Sequence, residues 1–245
     1  MRYPYGMLPV FKSTYSIGKS ILTIEKILEL NQSQENKFLL LVEDSMTGFV
    51  KCHNSCKELG IHLVFGLRLT CCNDVEEDDY NSDNKIIILA KNDQGCKLLN
   101  KIYSFKELEG NGKVDFSYLN SIWEEENLDL VIPFYDSFIH QNQFYLKNCV
   151  PDFTKIKPNF WLENNNLPFD SILNKYVSDY CKDKYNTQDV KSIFYEKKED
   201  VEALQTYKII CGRKFGRPST LSCPNLDHFG SDEFCFESYA KLTND

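Results

Sequence analysis

Histidine is scarce in this chain: four in 245 residues, at His53, His62, His140 and His228. None stands in H-x-H or H-E-x-x-H spacing, so a metal centre built mainly on imidazole has no footing in the sequence. No apolar run approaches the ~18 residues that a membrane-spanning helix needs. The opening "MRYPYGMLPV" lacks the charged-then-apolar pattern of a secretion signal. No glycine-rich phosphate loop follows a predicted strand, and no Ser or Cys nucleophile sits at a strand-to-helix elbow. Positive charge is also in deficit. Lys and Arg number 28 against 36 Asp and Glu, a net charge of −8, which argues against a broad electrostatic grip on nucleic acid and leaves room only for a local basic patch.

What is there is a foldable chain. Hydrophobic residues make up 42% and aromatics 13%, enough for a packed core. The length suits one large α/β domain or two small ones. Ten cysteines follow no regular disulfide spacing, which predicts free, largely buried thiols in a reducing, cytoplasmic compartment.

Strand and helix signals alternate along the chain. "MLPVFK" (7–12) reads as a short strand, and Ile21, Ile24, Ile27 and Leu28 share one helical face after it. "KFLLLVE" (37–43) is a near-continuous apolar strand of the kind buried on both faces, followed by a helix over 47–60 with Gly60 as its cap. "IHLVFGLRLTC" (61–71) and "KIIILAK" (85–91) are strands separated by the acidic loop 73–84. A helix over 92–108 starts at an Asn cap and buries Cys96, Leu99, Ile102 and Tyr103. Further helices are predicted over 115–126, 169–184 and 199–212, and strands over 128–134, 159–163 and 190–197. Such alternation predicts βαβ crossovers, a parallel sheet and a closed or nearly closed barrel, with function at the C-terminal ends of its strands. One of those ends, "FLLLVEDSMTG", carries the acid pair Glu43 and Asp44.

The stretches "PVFKSTYS", "LLVEDSMTGF", "CKELGIHLVFGLRL" and "KIIILAKNDQGCKLLNKI" together resemble the polymerase and histidinol phosphatase (PHP) domain, in the version found at the N-terminus of bacterial DNA polymerase III alpha subunits. "VKSIFYEKKEDVEALQTYKIICGR" continues the likeness, which spans residues 8 to about 235. The resemblance implies an α/β fold, a distorted (β/α)7 barrel over 1–212, and a C-terminal extension over 213–245 like the connector toward a polymerase palm. Active members of the family hold two or three metal ions and hydrolyse phosphoesters. Carried over by position, the ligand sites fall on Val10 and Lys12, on Glu43 and Asp44, on Arg68, on Lys85, and on Ser192 and Phe194. An alternative register for the last pair gives Asp189 and Lys191. Most of these residues are not metal ligands. The expectation is therefore a degenerate centre that holds no metal or cofactor, with Lys12 or Arg68 bonded to Glu43 or Asp44 and Phe194 filling ligand space.

Other features carry bland readings. Cys52 and Cys56 stand four apart on a helix and are read as packing rather than zinc ligands. Cys71 and Cys72 are read as free thiols, the four histidines as surface or core residues, and Trp161 as core. "GRKFGRP" offers Arg213, Lys214 and Arg217 as candidate contacts for phosphate or a partner, against a solvated loop.

The resemblance implies a catalytically degenerate, stand-alone PHP module, with no catalytic residue assigned, acting as an interaction scaffold in DNA replication. A virus or mobile element suits such a domain. Its partners would be a polymerase or proofreading exonuclease, with DNA contacted weakly or indirectly and no membrane involved. Two alternatives stand beside it: a metal-dependent phosphoesterase or 3′–5′ exonuclease using Glu43, Asp44 and Asp189, and a decoy of a host replicase surface.

Overall fold

A computed structural model describes residues 6–34, 37–77, 80–212 and 231–244. Period-2 alternation along its strands decides which side chains meet. Leu8 and Val10, Leu40 and Val42, Val64, Ile87 and Leu89, Val131, Trp161 and Val190 all point the same way and form one inner core. Their alternating neighbours, among them Phe11, Leu41, Phe65, Leu67, Ile88, Leu130, Phe160 and Ile193, form the outer core under the helices.

The strands are β1 (Leu8–Phe11), β2 (Phe38–Glu43), β3 (His62–Cys72), β4 (Asn84–Ala90), β5 (Val114–Asp115), β6 (Leu128–Ile132), β7 (Pro158–Leu162) and β8 (Asn186–Ile193). The helices are α1 (Ile24–Ser33), α2 (Phe49–Glu58), α3 (Asp93–Leu108), α4 (Phe116–Ile122), α5 (Phe138–Tyr145), α6 (Asp170–Cys181), α7 (Val201–Cys211) and α8 (Phe236–Asn244). Neighbours run β2-β1-β8-β7-β6-β4-β3, and β3 pairs back onto β2, closing a seven-stranded barrel ringed by helices. Short β5 adds to the far end of β3, outside the ring. This is the expected distorted (β/α)7 barrel.

One strand departs from the expected parallel order. β4 runs antiparallel to both β3 and β6. The reason lies in the connection: no α-helix separates β3 from β4, only the loop over 73–83, and a chain that returns without a crossover must return antiparallel. The start of β4 therefore lies beside the C-terminal end of β3. Among the described residues, no helix is long and apolar enough to cross a membrane.

Helix starts follow local chemistry. Thr23 caps α1 by accepting from Lys26 N, Asn92 caps α3 by accepting from Gly95 N, and Asp115 caps α4 by accepting from Tyr118 N. The helix expected over 115–126 is shorter because Asp115 begins it and Trp123 is already extended. α5, capped by Ser137, and α8 were not expected. Residues 231–244 return to the barrel: Phe194 N donates to Phe234 O at 3.0 Å, Phe236 N donates to Tyr195 O at 3.0 Å, and Tyr195 bridges Cys235.

α3 seats so closely on the entry to β6 that a Cβ at Gly95 would lie 2.2 Å from the carbonyl oxygen of Asn127. Helix propensity favours Ala over Gly by about 1 kcal/mol. A backbone carbonyl cannot rotate away, so the clash prevails. Gly95→Ala is expected to destabilise the protein by roughly 1–3 kcal/mol, read as a lower urea midpoint at unchanged slope.

Candidate functional site

The inward series does not stop at the inner core. Two residues beyond Val10 comes Lys12, two beyond Val42 comes Asp44, two before Ile87 comes Lys85, and two beyond Trp161 and Val190 come Glu163 and Ser192. Arg68 lies opposite Ile87 in the β3–β4 register, and Thr70 lies opposite Lys85. These side chains gather at the barrel's mouth. A cavity of about 70 Å³ lies there, with Val10, Val42 and Ile87 as apolar walls and Lys12, Arg68, Asp136 and Glu163 as polar ones.

Two ion pairs organise the mouth. Lys12 Nζ donates to Asp44 Oδ1 at 2.6 Å. Arg68 Nη2 donates to Asp136 Oδ2 at 2.7 Å and to the carbonyl of Tyr135 at 3.3 Å. The Lys12 side chain is 7% exposed and that of Asp44 38%. Burial works against the charge of Asp44, but the Lys12 ammonium and the Arg68 guanidinium outweigh it and hold the carboxyl below its usual range. Asp136 is held low in the same way by Arg68, with help from His140. Burial lowers the pKa of Lys12 against the pull of Asp44. Lys85 Nζ donates to Thr70 Oγ1 at 2.7 Å; burial and then the Arg68 charge lower its pKa to about 8.

Glu43 and Asp44 do not act as a pair. Adjacent residues face opposite sides of a strand, so Asp44 enters the mouth while Glu43 is fully buried on the other side. Glu43 accepts from Ser13 N at 3.0 Å, from Ser13 Oγ at 2.5 Å and from Ser16 Oγ. Burial raises its pKa against those bonds. Ser16 Oγ also accepts from Asp44 N at 2.9 Å, so the loop after β1 is tied to the end of β2 at two successive residues.

Glu163 is the second buried acid. It accepts from Ser192 N at 3.2 Å, from Ser192 Oγ at 2.9 Å and from Asn165 Nδ2 at 3.1 Å, and burial raises its pKa. Phe194 stacks on Phe234, ring centroids 5.6 Å apart, and both rings line the cavity. Lys191 is buried and turned from the mouth toward the C-terminal segment, with Nζ 3.2 Å from Asn164 O and 3.8 Å from Glu233. Asp189 is exposed and lies opposite Leu162, so Glu43, Asp44 and Asp189 do not converge.

A family model for the PHP domain matches residues 11–148, more than half of the chain. The chain belongs to the PHP domain family. Over 104 residues it is also 29% identical to DNA polymerase III subunit alpha of Mycoplasma genitalium, a stretch covering 42% of this chain and 11% of that protein. The matched stretch accordingly spans about a tenth of that relative's length.

The side chains gathered at the mouth are a poor fit to a metal ion. Lys12 engages one oxygen of Asp44 and Arg68 one oxygen of Asp136, their charges repel a further cation at those acids, and Val10 and Phe194 offer no ligand atom. Among the described residues, no three His, Cys, Asp or Glu side chains form a group able to hold a metal.

The remaining residues singled out by sequence fall elsewhere. His140 is a buried residue of the PHP core: its Nδ1 accepts from Asp136 N at 3.0 Å, its ring stacks on Phe169, and burial lowers its pKa. His53 and His62 are exposed. Cys52 and Cys56 are buried with sulfurs 3.9 Å apart, and Cys71 and Cys72 are buried free thiols. Trp161 is in the inner core. Arg213, Lys214, Arg217 and His228 lie outside the described residues. Asp136, Glu163, Ser13 and Ser16 escaped sequence reasoning. The signal for the first two was present: "VIPFYD" and "NFWLE" each run an apolar stretch into a lone acid, as "LLLVED" does.

Lys85 offers a pH test. Its folded pKa of about 8 lies below the ordinary lysine value of about 10.4, so the unfolded chain binds the proton more tightly. Its burial costs stability in full below pH ~8 and progressively less toward pH ~10.4. Buried Cys71 and Tyr135, whose pKa values burial raises, act in the opposite sense, so the informative quantity is the difference from a variant. Lys85→Met is expected to exceed wild type in stability by roughly 1–3 kcal/mol at neutral pH. Urea melts at successive pH values should show that gap closing as pH rises through the alkaline range.

Proposed function

We propose that this chain is a catalytically degenerate PHP module that serves as a protein-interaction scaffold in DNA replication. The observation that supports the first half is the Lys12–Asp44 ion pair, seated with Arg68–Asp136 at the barrel mouth, where the resemblance leads us to expect the family's metal ligands. A phosphoesterase of this family works through its metals, which polarise the phosphate and generate the nucleophile. An ammonium bonded to Asp44 and a guanidinium bonded to Asp136 place positive charge where that chemistry needs a metal, and Glu163, the third mouth carboxylate, is bonded to Ser192 and Asn165. The replication context rests on the likeness to DNA polymerase III subunit alpha of Mycoplasma genitalium. Partners are expected among polymerases and proofreading exonucleases that dock on the barrel's exterior.

Calorimetry with Mn²⁺ tests the first half. No saturable heat is expected in the micromolar range, and no metal-stimulated hydrolysis of a phosphoester. Micromolar binding that Asp44→Ala abolishes would instead establish a residual metal-dependent hydrolase. Affinity capture tests the second half: the tagged chain should retain a cognate polymerase or exonuclease. Recovery of a host exonuclease without any cognate polymerase would favour the decoy reading.

A further inference from the structure

The outer helical layer has a gap. Among the described residues the β3–β4 connection holds only a short 3-10 turn at Tyr80–Ser82 and no α-helix, and the outer face of β3 is flanked by α2 on one side and α3 on the other. Between these helices, where β3 begins and β4 ends, lies a cleft of about 530 Å³. That size falls within the about 300–1,000 Å³ typical of small-molecule sites. It is at the opposite end of the barrel from Lys12 and Asp44.

We propose that this cleft binds a small planar aromatic molecule carrying an anionic group, with its ring against Phe49 and Phe65 and its charge between Lys57 and Lys91. The floor is apolar, with Ile61, Leu63 and Ala90 beside the two phenylalanines. Phe49 meets Phe65 edge-on with centroids 5.0 Å apart and stacks with His53 at 5.7 Å, which makes an aromatic wall suited to a flat guest.

The rim sets the charge of that guest. On a chain of net charge −8, the cleft is lined by Lys57, Lys91, His53 and His62 against one carboxylate, Asp93. Among the described residues Lys57 makes no ion pair, and Lys91 Nζ donates to the carbonyl of Glu125 at 2.7 Å rather than to a carboxylate. Neither lysine has a carboxylate within ion-pair distance among the described residues, although Lys91 also acts through space on Asp129, and two such lysines beside an apolar floor favour an anion that brings its own hydrophobic body. A nucleoside monophosphate and an aryl phosphate share this chemistry.

Two-dimensional ¹H–¹⁵N NMR with 1-naphthyl phosphate is the test. Saturable shifts are expected at residues of α2 from Phe49 to Lys57 and at Lys91–Cys96. The double variant Lys57→Glu/Lys91→Glu, altered only at the rim, should weaken binding by at least about tenfold, the scale of lost charge-assisted hydrogen bonds. The uncharged 1-naphthol should lose a similar factor, inorganic phosphate should give no saturable change, and Cys96→Trp, which fills the cleft, should abolish binding while the spectrum stays dispersed. Absence of saturable shifts at the cleft overturns the proposal, as does an affinity unchanged in the double variant. Shifts confined to Lys12 and Arg68 overturn it too, by placing the ligand at the barrel mouth.

Discussion

The Lys12–Asp44 ion pair is the constraint around which the barrel's mouth is arranged. The inward series of every strand has to end in something, and here it ends in charges: Lys12 is buried, whereas Asp44 and Asp136 keep 38% and 42% of their side chains exposed. An ammonium that is only slightly exposed needs a counter-charge, because an uncompensated buried charge costs several kcal/mol. Asp44 supplies it. Arg68 adds a second cation close enough to act on both Lys12 and Asp44, and Asp136 answers that one in turn. Glu43 is kept apart on the far side of β2, satisfied by serine hydroxyls rather than by a cation. The mouth is a chain of mutually required pairs, so no single member can be exchanged for a metal ligand without leaving another unpaired.

A single topological fact shapes both ends of the barrel. The β3–β4 hairpin turns β4 antiparallel, which carries Lys85 to the mouth beside Arg68 and Thr70. The same hairpin removes a crossover helix from the outer layer, and at the other end the missing helix leaves the cleft between α2 and α3. In a uniformly alternating barrel Lys85 would begin its strand at the end remote from the mouth, and a helix would cover the outer face of β3.

Much of this was legible in the sequence. Most strands announced themselves as short apolar runs, but the one expected over 190–197 lies at Asn186–Ile193, where its first half is polar, and β5 was not expected; Asn92 and Gly60 marked helix ends where the structure has them. Even the hairpin was readable, since nothing between Cys72 and Asn84 has helical periodicity. Asp44 was placed at the mouth by the end of its strand, whereas Lys12, Arg68 and Lys85 reached it through the family resemblance. Treating Glu43 and Asp44 as a unit was avoidable: the two-residue period of a strand separates neighbours, and that rule needs no coordinates. Asp136 and Glu163 were harder. A lone acid after a strand can equally surface into water, and it takes the strand order to bring these acids to Arg68 across β4 and to Ser192 across the β7–β8 pairing.

The C-terminal segment completes the argument, because the worth of an ion pair depends on what covers it. An exposed Lys–Asp pair contributes about 0–1 kcal/mol, whereas breaking a desolvated one costs about 3–5 kcal/mol. At this mouth the covering is aromatic. Phe194 stacks on Phe234, and both border the cavity that Lys12 and Arg68 face. Phe234 is held there by backbone bonding to Phe194 and, one residue earlier, by Glu233 pairing with Lys198. Ser231 adds a bond from its hydroxyl to the carbonyl of Asn165 at 2.6 Å. The rings thus shield the cavity side of Lys12 and Arg68, while Asp44 and Asp136 stay 38% and 42% exposed, so the two pairs lie between the exposed and the desolvated limit. The mouth of this PHP barrel is set as much by residues 231–236, at the far end of the chain, as by the strands that converge on it.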